Sequence, residues 1–262
     1  MPATLKGRLP WRLGAPSYVT PGDIVSNVRL LAPLVDDVQL LFFESSANER
    51  LNQAVPCNEL QELAREHHLT FTAHLPTDIR LGADEPAVRQ QAITEVIQRV
   101  ESLATLDIGS FDLHLQMEAM PPDRWLGNLD AALEMLAGGL GERLAQRVAI
   151  ENIDYPLALI LPLLRAHGFS LCLDLGHVMH YGHDLSEALV LIAATRHIHL
   201  HGIADGRDHQ ALVAENDYGA DLLAQTFSLT DFQGVVTLEI YEINRLHASL
   251  AFLYKSWADW VR

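Results

Sequence analysis

Histidine, aspartate and glutamate recur at the ends of short apolar segments of this chain, where such side chains are costly to bury. In the stretch LCLDLGH, Asp174 interrupts an apolar run and His177 follows three residues later. Burying a carboxylate is strongly unfavourable unless a partner compensates its charge. Six other apolar segments end in the same way, at Glu44, His74, His114, Glu151, His199 with His201, and Glu239. One such residue could be a core residue with its own partner, but seven segments together predict a metal site.

The side-chain types indicate which ions this site would hold. Imidazole and carboxylate ligands without thiolates suit Zn²⁺, Mn²⁺ or Fe²⁺ rather than Ca²⁺ or an iron–sulfur cluster. The number of ligands predicts two or three divalent ions, with Zn²⁺ preferred. Paired ions about 3.5–4 Å apart can activate water and stabilise both oxygens of an in-line phosphoryl displacement.

These residues must be positioned by the elements that precede them, and the chain alternates apolar strands with amphipathic helices. Helical periodicity lies between the strands and after the last of them, as in ELQELAREHH and AVRQQAITEVIQRVESLATL. Eight such units in 262 residues, close to the ~250 of a (β/α)₈ barrel, predict a single TIM-barrel domain over residues 1–262. In that fold the active site lies at the C-terminal mouth of the strands. The predicted strands are 11–19, 38–45, 69–76, 110–116, 147–153, 169–177, 196–202 and 234–241.

The charge and composition narrow the class of substrate. Lys plus Arg is 18 and Asp plus Glu is 34, which gives a formal charge of −16 and argues against a nucleic-acid partner. Two cysteines are too few for a disulfide framework. No secretory signal and no apolar run long enough for a membrane span is recognisable. We therefore expect a soluble, cytoplasmic protein whose substrate is not a nucleic acid.

The strand-end motifs resemble the superfamily of endonuclease IV-type apurinic-site endonucleases and xylose-isomerase-like sugar isomerases and epimerases. The resemblance runs through AHLP, LHLQ, AIENI, LDLGH, HIHLHG, GRDHQAL and LEIY, and so covers nearly the whole chain. It implies that one ion is held by His74, His114 and Glu151, and that Glu151 bridges to a second ion, which is completed by Asp174, His199 and Glu239.

For a third ion the resemblance implies His177 and His209. The remaining ligand of that pattern is an aspartate two residues before the last histidine, where this chain has Arg207. Asp208 is one substitute, and a site of only two ions is the other possibility. His201 is the alternative to His199, because residues two apart point to the same face of a strand.

Longer stretches resemble the bacterial cobamide-remodelling phosphodiesterases. They include ENIDYPLALILPLL, CLDLGHVMHYGHDL and IHLHGIADGRDHQAL, and several of their residues lie outside the shared metal ligands. The resemblance implies cleavage of the nucleotide-loop phosphodiester of adenosylated cobamides such as adenosylcobalamin, which releases a cobinamide-type corrinoid.

Roles within the site follow from these interpretations. We expect catalysis to depend on Glu151, Glu239 and Asp174, whose apolar neighbours argue against exposed surface positions. The residues considered as substrate contacts are Glu44, Arg80, Tyr155, His201 and Arg207.

Two other functions remain open. One is a metal-dependent sugar isomerase or epimerase, with Glu151 and Glu239 as an acid–base pair. The other is a non-catalytic corrinoid-binding barrel, which predicts that metal ligands have been lost; only the Arg207 position suggests such a loss.

Overall fold

The protein folds into a closed barrel of eight parallel strands, as the sequence predicts. The structure, a computed structural model, describes residues 4–42, 55–214, 219, 226 and 231–260. Around the barrel the strand order is β1-β10-β7-β6-β5-β4-β3-β2. The barrel strands are β1 (Arg12–Pro16), β2 (Asp37–Leu41), β3 (Thr70–His74), β4 (Ile108–His114), β5 (Val148–Glu151), β6 (Ser170–Asp174), β7 (Thr195–Leu200) and β10 (Val235–Leu238).

Helices surround the barrel and connect its strands. Asp23 begins the first helix by accepting a hydrogen bond from the Ser26 amide at 2.7 Å, and Gly168, at φ 76°, ends the sixth. No helix of the described residues is both long and apolar enough to cross a membrane. The helices are α1 (Ile24–Leu31), α2 (Cys57–His67), α3 (Pro86–Ser102), α4 (Pro122–Leu140), α5 (Glu142–Ala145), α6 (Leu161–His167), α7 (Leu175–His180), α8 (Leu185–Leu189) and α9 (Ile243–Trp260).

The predicted end of the sixth strand is wrong, and the reason lies in Asp174. The sixth strand was expected to reach residue 177, but β6 ends at Asp174 and α7 begins at once. The Asp174 side chain caps this helix by accepting a hydrogen bond from the His177 amide at 2.6 Å. Asp174 therefore acts as a helix N-cap, and the cap turns His177 towards the barrel mouth.

A short hairpin after β7 was also missed. Strands β8 (Gly202–Ala204) and β9 (Arg207–Gln210) pair antiparallel. Asp205 and Gly206 join them with φ values of 54° and 68°, which is the backbone of a tight turn that favours an Asp-Gly pair. This hairpin carries His209 back over the mouth of the barrel.

The register of the strands brings the polar strand ends together. His114 is the direct partner of Glu151 between β4 and β5, and Asp174 is the partner of His199 between β6 and β7. All these side chains are buried or nearly so, and so are the polar or small residues that stand two positions earlier on the same face of their strands, namely Asp112, Ala149, Cys172 and His197. The parallel arrangement therefore gathers the ligands at one end, as the sequence predicts.

Candidate metal centre

The first group of possible ligands consists of His74, His114 and Glu151. The Nε2 atoms of both histidines lie 3.3 Å from Oε2 of Glu151. The Nδ1 of His74 lies 2.8 Å from the main-chain oxygen of Leu75, which fixes the proton on Nδ1 and leaves Nε2 free to bind an ion.

The second group shares Glu151 with the first and adds Asp174, His199 and Glu239. The Nδ1 of His199 lies 3.2 Å from Oε2 of Glu151, 3.2 Å from Oε2 of Glu239 and 3.8 Å from Oδ2 of Asp174. One carboxylate thus touches both groups, which is the arrangement that a ligand bridging two ions requires.

Hydrogen bonding within these groups tests whether they suit a cation. Most of the buried side-chain atoms without a hydrogen-bond partner in the described part of the chain belong to these and the neighbouring ligands: both carboxylate oxygens of Glu151, Oδ2 of Asp174, Oε2 of Glu239, Nε2 of His114, Nδ1 of His199 and Nε2 of His201. Leaving a buried polar atom unpaired costs about 1–3 kcal/mol, and more when it is charged. Such atoms concentrated at one point fit metal ligands.

The spacing of the same atoms also fits. Bonds of about 2.0–2.2 Å in a tetrahedral site place neighbouring donor atoms about 3.3–3.6 Å apart. The imidazole nitrogens and carboxylate oxygens contact one another at 3.2–3.3 Å in the first two groups. The residues present therefore fit divalent ions of the kind that nitrogen and oxygen ligands prefer.

The electrostatics of the centre keep its carboxylates ionised. Burial alone would raise the pKa of Glu151, but His114, His199 and His177 outweigh it and hold this pKa well below its usual range. Glu239 behaves in the same way, because His199 and His209 outweigh its burial and lower its pKa. Despite its own burial, the pKa of His177 is raised to about 10 by the charges of Asp174 and Glu151. The site thus concentrates negative charge that attracts cations.

A third group lies beside the first two and consists of His177, His201 and His209. Arg207, which occupies the position of the expected aspartate, points away from it. Its guanidinium is 68% exposed and lies 3.8 Å from Asp205. Asp208 is closer, with Oδ2 3.9 Å from Nε2 of His177 and 3.8 Å from Nε2 of His209.

Asn152, the last residue of the IEN motif, positions Asp174. Its amide nitrogen donates to the main-chain oxygen of Asp174 at 2.9 Å, and its amide oxygen accepts from the Asp174 main-chain N–H at 2.7 Å. This reciprocal pair ties the end of β5 to the end of β6. The spacing of Asp174 from Glu151 is therefore fixed by the backbone as well as by the sheet.

Tyr241 orients Glu239, a role that the sequence did not indicate. Its hydroxyl donates to Oε1 of Glu239 at 2.6 Å, and its ring lies 5.1 Å from that of His209. Burial and the neighbouring Glu239 raise the pKa of Tyr241 well above its ordinary value, so the hydroxyl keeps its proton. The unpartnered Oε2 of Glu239 is thereby left to face the site.

Replacing Tyr241 by phenylalanine is expected to weaken metal binding by about 10–100-fold, as the loss of a group that orients a ligand typically does. The ring and its packing stay, so the fold should hold. Competition with a chromophoric chelator would measure the affinity for Zn²⁺. Tyr181→Phe, also at the mouth, is the control and should bind Zn²⁺ as the unmodified protein does. Equal affinity in Tyr241→Phe would contradict the orienting role.

Behind His199 lies a buried polar network that sequence reasoning also missed. Nε2 of His199 lies 2.8 Å from the Gln39 amide nitrogen, which donates to Asp112 at 3.0 Å. Asp112 accepts from Nδ1 of His197 at 2.7 Å, and Nε2 of His197 lies 2.7 Å from the Thr237 hydroxyl. The sequence did contain a sign of this network. Asp112 and His197 each stand two residues before a predicted ligand, so each lies on the same face of its strand as that ligand.

Among the described residues considered as substrate contacts, His201 belongs to a ligand group, whereas Arg80, Tyr155 and Arg207 contact other residues. Arg80 donates through Nε to Glu118 at 3.1 Å. Tyr155 is buried with its ring 5.2 Å from that of Trp125. Glu44 lies outside the described residues.

Comparison with known proteins places the fold in a family. The model of the xylose isomerase-like TIM barrel family matches residues 35–256, and this chain belongs to that family. No curated protein sequence gives a significant match.

Solved structures agree with the fold. A D-tagatose 3-epimerase-like protein is 17% identical, with a TM-score of 0.76 over 96% of this chain and 100% of its own. Endonuclease IV from Thermus thermophilus is also 17% identical, with a TM-score of 0.70 over 95% and 99%. Another Thermus thermophilus protein, soaked with ZnCl₂, is 22% identical, with a TM-score of 0.66 over 96% and 99%. At these identities the likeness concerns the fold.

Proposed function

We propose that this protein is a metal-dependent phosphodiesterase that cleaves the nucleotide-loop phosphodiester of cobamides such as adenosylcobalamin, for cobamide remodelling or salvage. The phosphodiesterase activity in this proposal is supported by one observation, namely that two ligand groups share Glu151 and so could hold a pair of ions. A single-ion isomerase needs fewer histidines than this centre supplies. Similar structures include one named endonuclease IV and one of a protein soaked with ZnCl₂, and the second of these supports Zn²⁺ as the preferred ion.

In this proposal the chain holds one ion on His74, His114 and Glu151. A second is held by Glu151, Asp174, His199 and Glu239. Ions bound there would neutralise the anionic phosphodiester and would make a nearby water more acidic. The protein's own contribution would be to hold the ions with the carboxylates of Glu151, Asp174 and Glu239, whose lowered pKa values keep them ionised.

The cobamide part of the proposal is supported by the long sequence stretches that resemble cobamide-remodelling phosphodiesterases. The formal charge of −16 also separates this chain from an enzyme that must bind a nucleic-acid backbone. A corrinoid ringed with amides needs apolar and neutral hydrogen-bonding surface instead. We propose a small-molecule corrinoid partner, no nucleic-acid or membrane partner, and action in the cytoplasm.

A product assay tests this function. The purified protein would be incubated anaerobically with adenosylcobalamin and supplied separately with Zn²⁺, Mn²⁺ or Fe²⁺. Chromatography and mass spectrometry should then detect a cobinamide-type corrinoid together with a benzimidazole nucleoside or nucleotide. Intact cobamide with every metal, under conditions in which the ions bind, would reject the cobamide substrate.

A second candidate, a sugar isomerase or epimerase, is favoured by one feature. Oε2 of Glu151 and Oε2 of Glu239 both lie 3.2 Å from the same His199 nitrogen, so two carboxylates face one point as an acid–base pair would. Several similar structures are named as epimerases. Interconversion of ketose epimers by the metal-loaded protein, without release of a corrinoid, would select this alternative.

A further inference from the structure

Three imidazole rings meet at the barrel mouth, outside the two groups that share Glu151. The ring centroids of His177 and His201 are 5.4 Å apart, those of His177 and His209 are 5.5 Å apart, and those of His201 and His209 are 4.4 Å apart. One ring nitrogen from each lies within 4.8 Å of one from each of the others. Each pair is in contact, so the three rings surround a common point.

The three rings share a hydrogen-bond pattern. Nδ1 of His177 lies 3.1 Å from the main-chain oxygen of Asn152, Nδ1 of His201 lies 3.2 Å from that of Gly202, and Nδ1 of His209 lies 3.2 Å from that of Glu239. A carbonyl beside Nδ1 fixes the proton there and leaves Nε2 with a free lone pair. Metal-binding histidines are usually held in this way.

His201 is the member that the expected ligand pattern does not contain. It is fully buried, and its Nε2 has no hydrogen-bond partner among the described residues. Its ring lies flat against Gly176, where a Cβ would come within 2.3–2.6 Å of three ring atoms. The DLGH motif thus provides a cradle for this one imidazole, in addition to supplying Asp174 and His177.

We propose that His177, His201 and His209 hold a third divalent ion, with His201 as the ligand that replaces the missing carboxylate. Three imidazoles, which bind as neutral ligands once an ion has displaced their protons, favour Zn²⁺ over Mn²⁺ or Mg²⁺. Asp208, whose Oδ2 lies 3.8–3.9 Å from two of the rings, places a negative charge on the solvent side of the site. The proposal rests on these side chains and does not depend on the cobamide substrate.

The experiment must distinguish metal binding by His201 from a second possible role, in which His201 positions Asp174. Its Nε2 lies 3.3 Å from Oδ1 of Asp174, and its Nδ1 lies 3.1 Å from the main-chain nitrogen of His209. If Nδ1 accepted that N–H, a proton on Nε2 would point at Asp174. His201 would then position Asp174 and would bind no ion.

Crystals of the unmodified protein grown with Zn²⁺ provide the first test. Anomalous difference maps at the zinc edge should show a peak within about 2.0–2.1 Å of a nitrogen of each of the three rings, the ordinary Zn–N distance. The absence of a third peak, or a peak bound by His177, His209 and Asp208 without His201, would overturn the proposal. This readout involves neither a variant nor enzymatic activity.

Metal counting by mass spectrometry provides the second test. His201→Ala and His209→Ala should each lose one ion per chain and keep the others, and the double variant should lose no more than either single variant. His180→Ala is the matched control, because His180 ends α7 and contacts Tyr181 outside the cluster. A full complement of ions in His201→Ala would overturn the proposal. Circular dichroism would confirm that each variant is folded.

Discussion

Replacing Glu151 by glutamine is expected to reduce the metal-dependent activity at least about 10³-fold, whichever substrate proves correct. Glutamine keeps the shape of the side chain but removes the charge that both ligand groups share. The amide nitrogen of the new glutamine could also face Nε2 of His74 and Nε2 of His114, which lie 3.3 Å from Oε2 of Glu151 in the unmodified protein, and an amide nitrogen does not bind a cation. The variant should therefore bind fewer ions as well as turn over more slowly, and mass spectrometry and the product assay would measure these two effects separately.

The control for this variant is Glu142→Gln, the same substitution at an exposed position on α5. It should bind the same number of ions as the unmodified protein and keep its activity. Because metal content and activity are measured independently, they separate two failures. Full metal content in Glu151→Gln would contradict the bridging role of Glu151. If the variant loses metal but the unmodified protein shows no activity on the cobamide, the metal centre is supported and only the proposed substrate is rejected.

The fold was predictable because its signal is local. Each strand is a short apolar run buried on both faces, and all eight predicted segments contain an observed barrel strand or most of it. The end of β6 was not predictable in this way, because Leu175 continues the apolar pattern while Asp174 starts a helix by capping it. Apolar pattern alone does not distinguish the last strand residue from the first helical one.

The ligands were predictable for a related reason, and their supporting groups were not. A histidine or carboxylate at the end of an apolar strand is conspicuous in a sequence. The period of two places Asp112 and His197 on the same faces as His114 and His199, but their contacts with one another and with Gln39 join strands that are far apart in the chain, and the sequence does not show which strands meet. Tyr241 is similar, since an aromatic residue after β10 is ordinary until its hydroxyl is seen on Glu239.

Neither the period-two pattern of the strand nor the fold determines which of His199 and His201 contacts the carboxylates of Glu151 and Glu239. A period of two puts His199 and His201 on one face, and either could have joined the carboxylates. In the structure His199 contacts Glu151 and Glu239, whereas His201 lies beyond the end of β7, against Gly176 and beside His209. The two histidines therefore serve different groups, and the hairpin that brings His209 back determines this division.

Removing the metal ions is expected to lower the melting temperature of the protein by about 10 °C. An ion present at about a thousand times its dissociation constant stabilises the folded state by about 4 kcal/mol, and for a chain near this size each kcal/mol shifts Tm by about 2–4 °C. The physical cause is the set of buried carboxylate and imidazole atoms without hydrogen-bond partners, which bound cations would compensate.

Calorimetry with and without a chelator, followed by addition of Zn²⁺, would measure this shift. Zn²⁺ should restore the original Tm, and Glu142→Gln should respond as fully as the unmodified protein. In Glu151→Gln the response should shrink, because the ions lose their shared ligand. The contrary outcome is an unchanged Tm in a protein shown to have lost its ions. The buried carboxylates and imidazoles would then compensate one another without metal, and the physical reason for placing ions there would be removed.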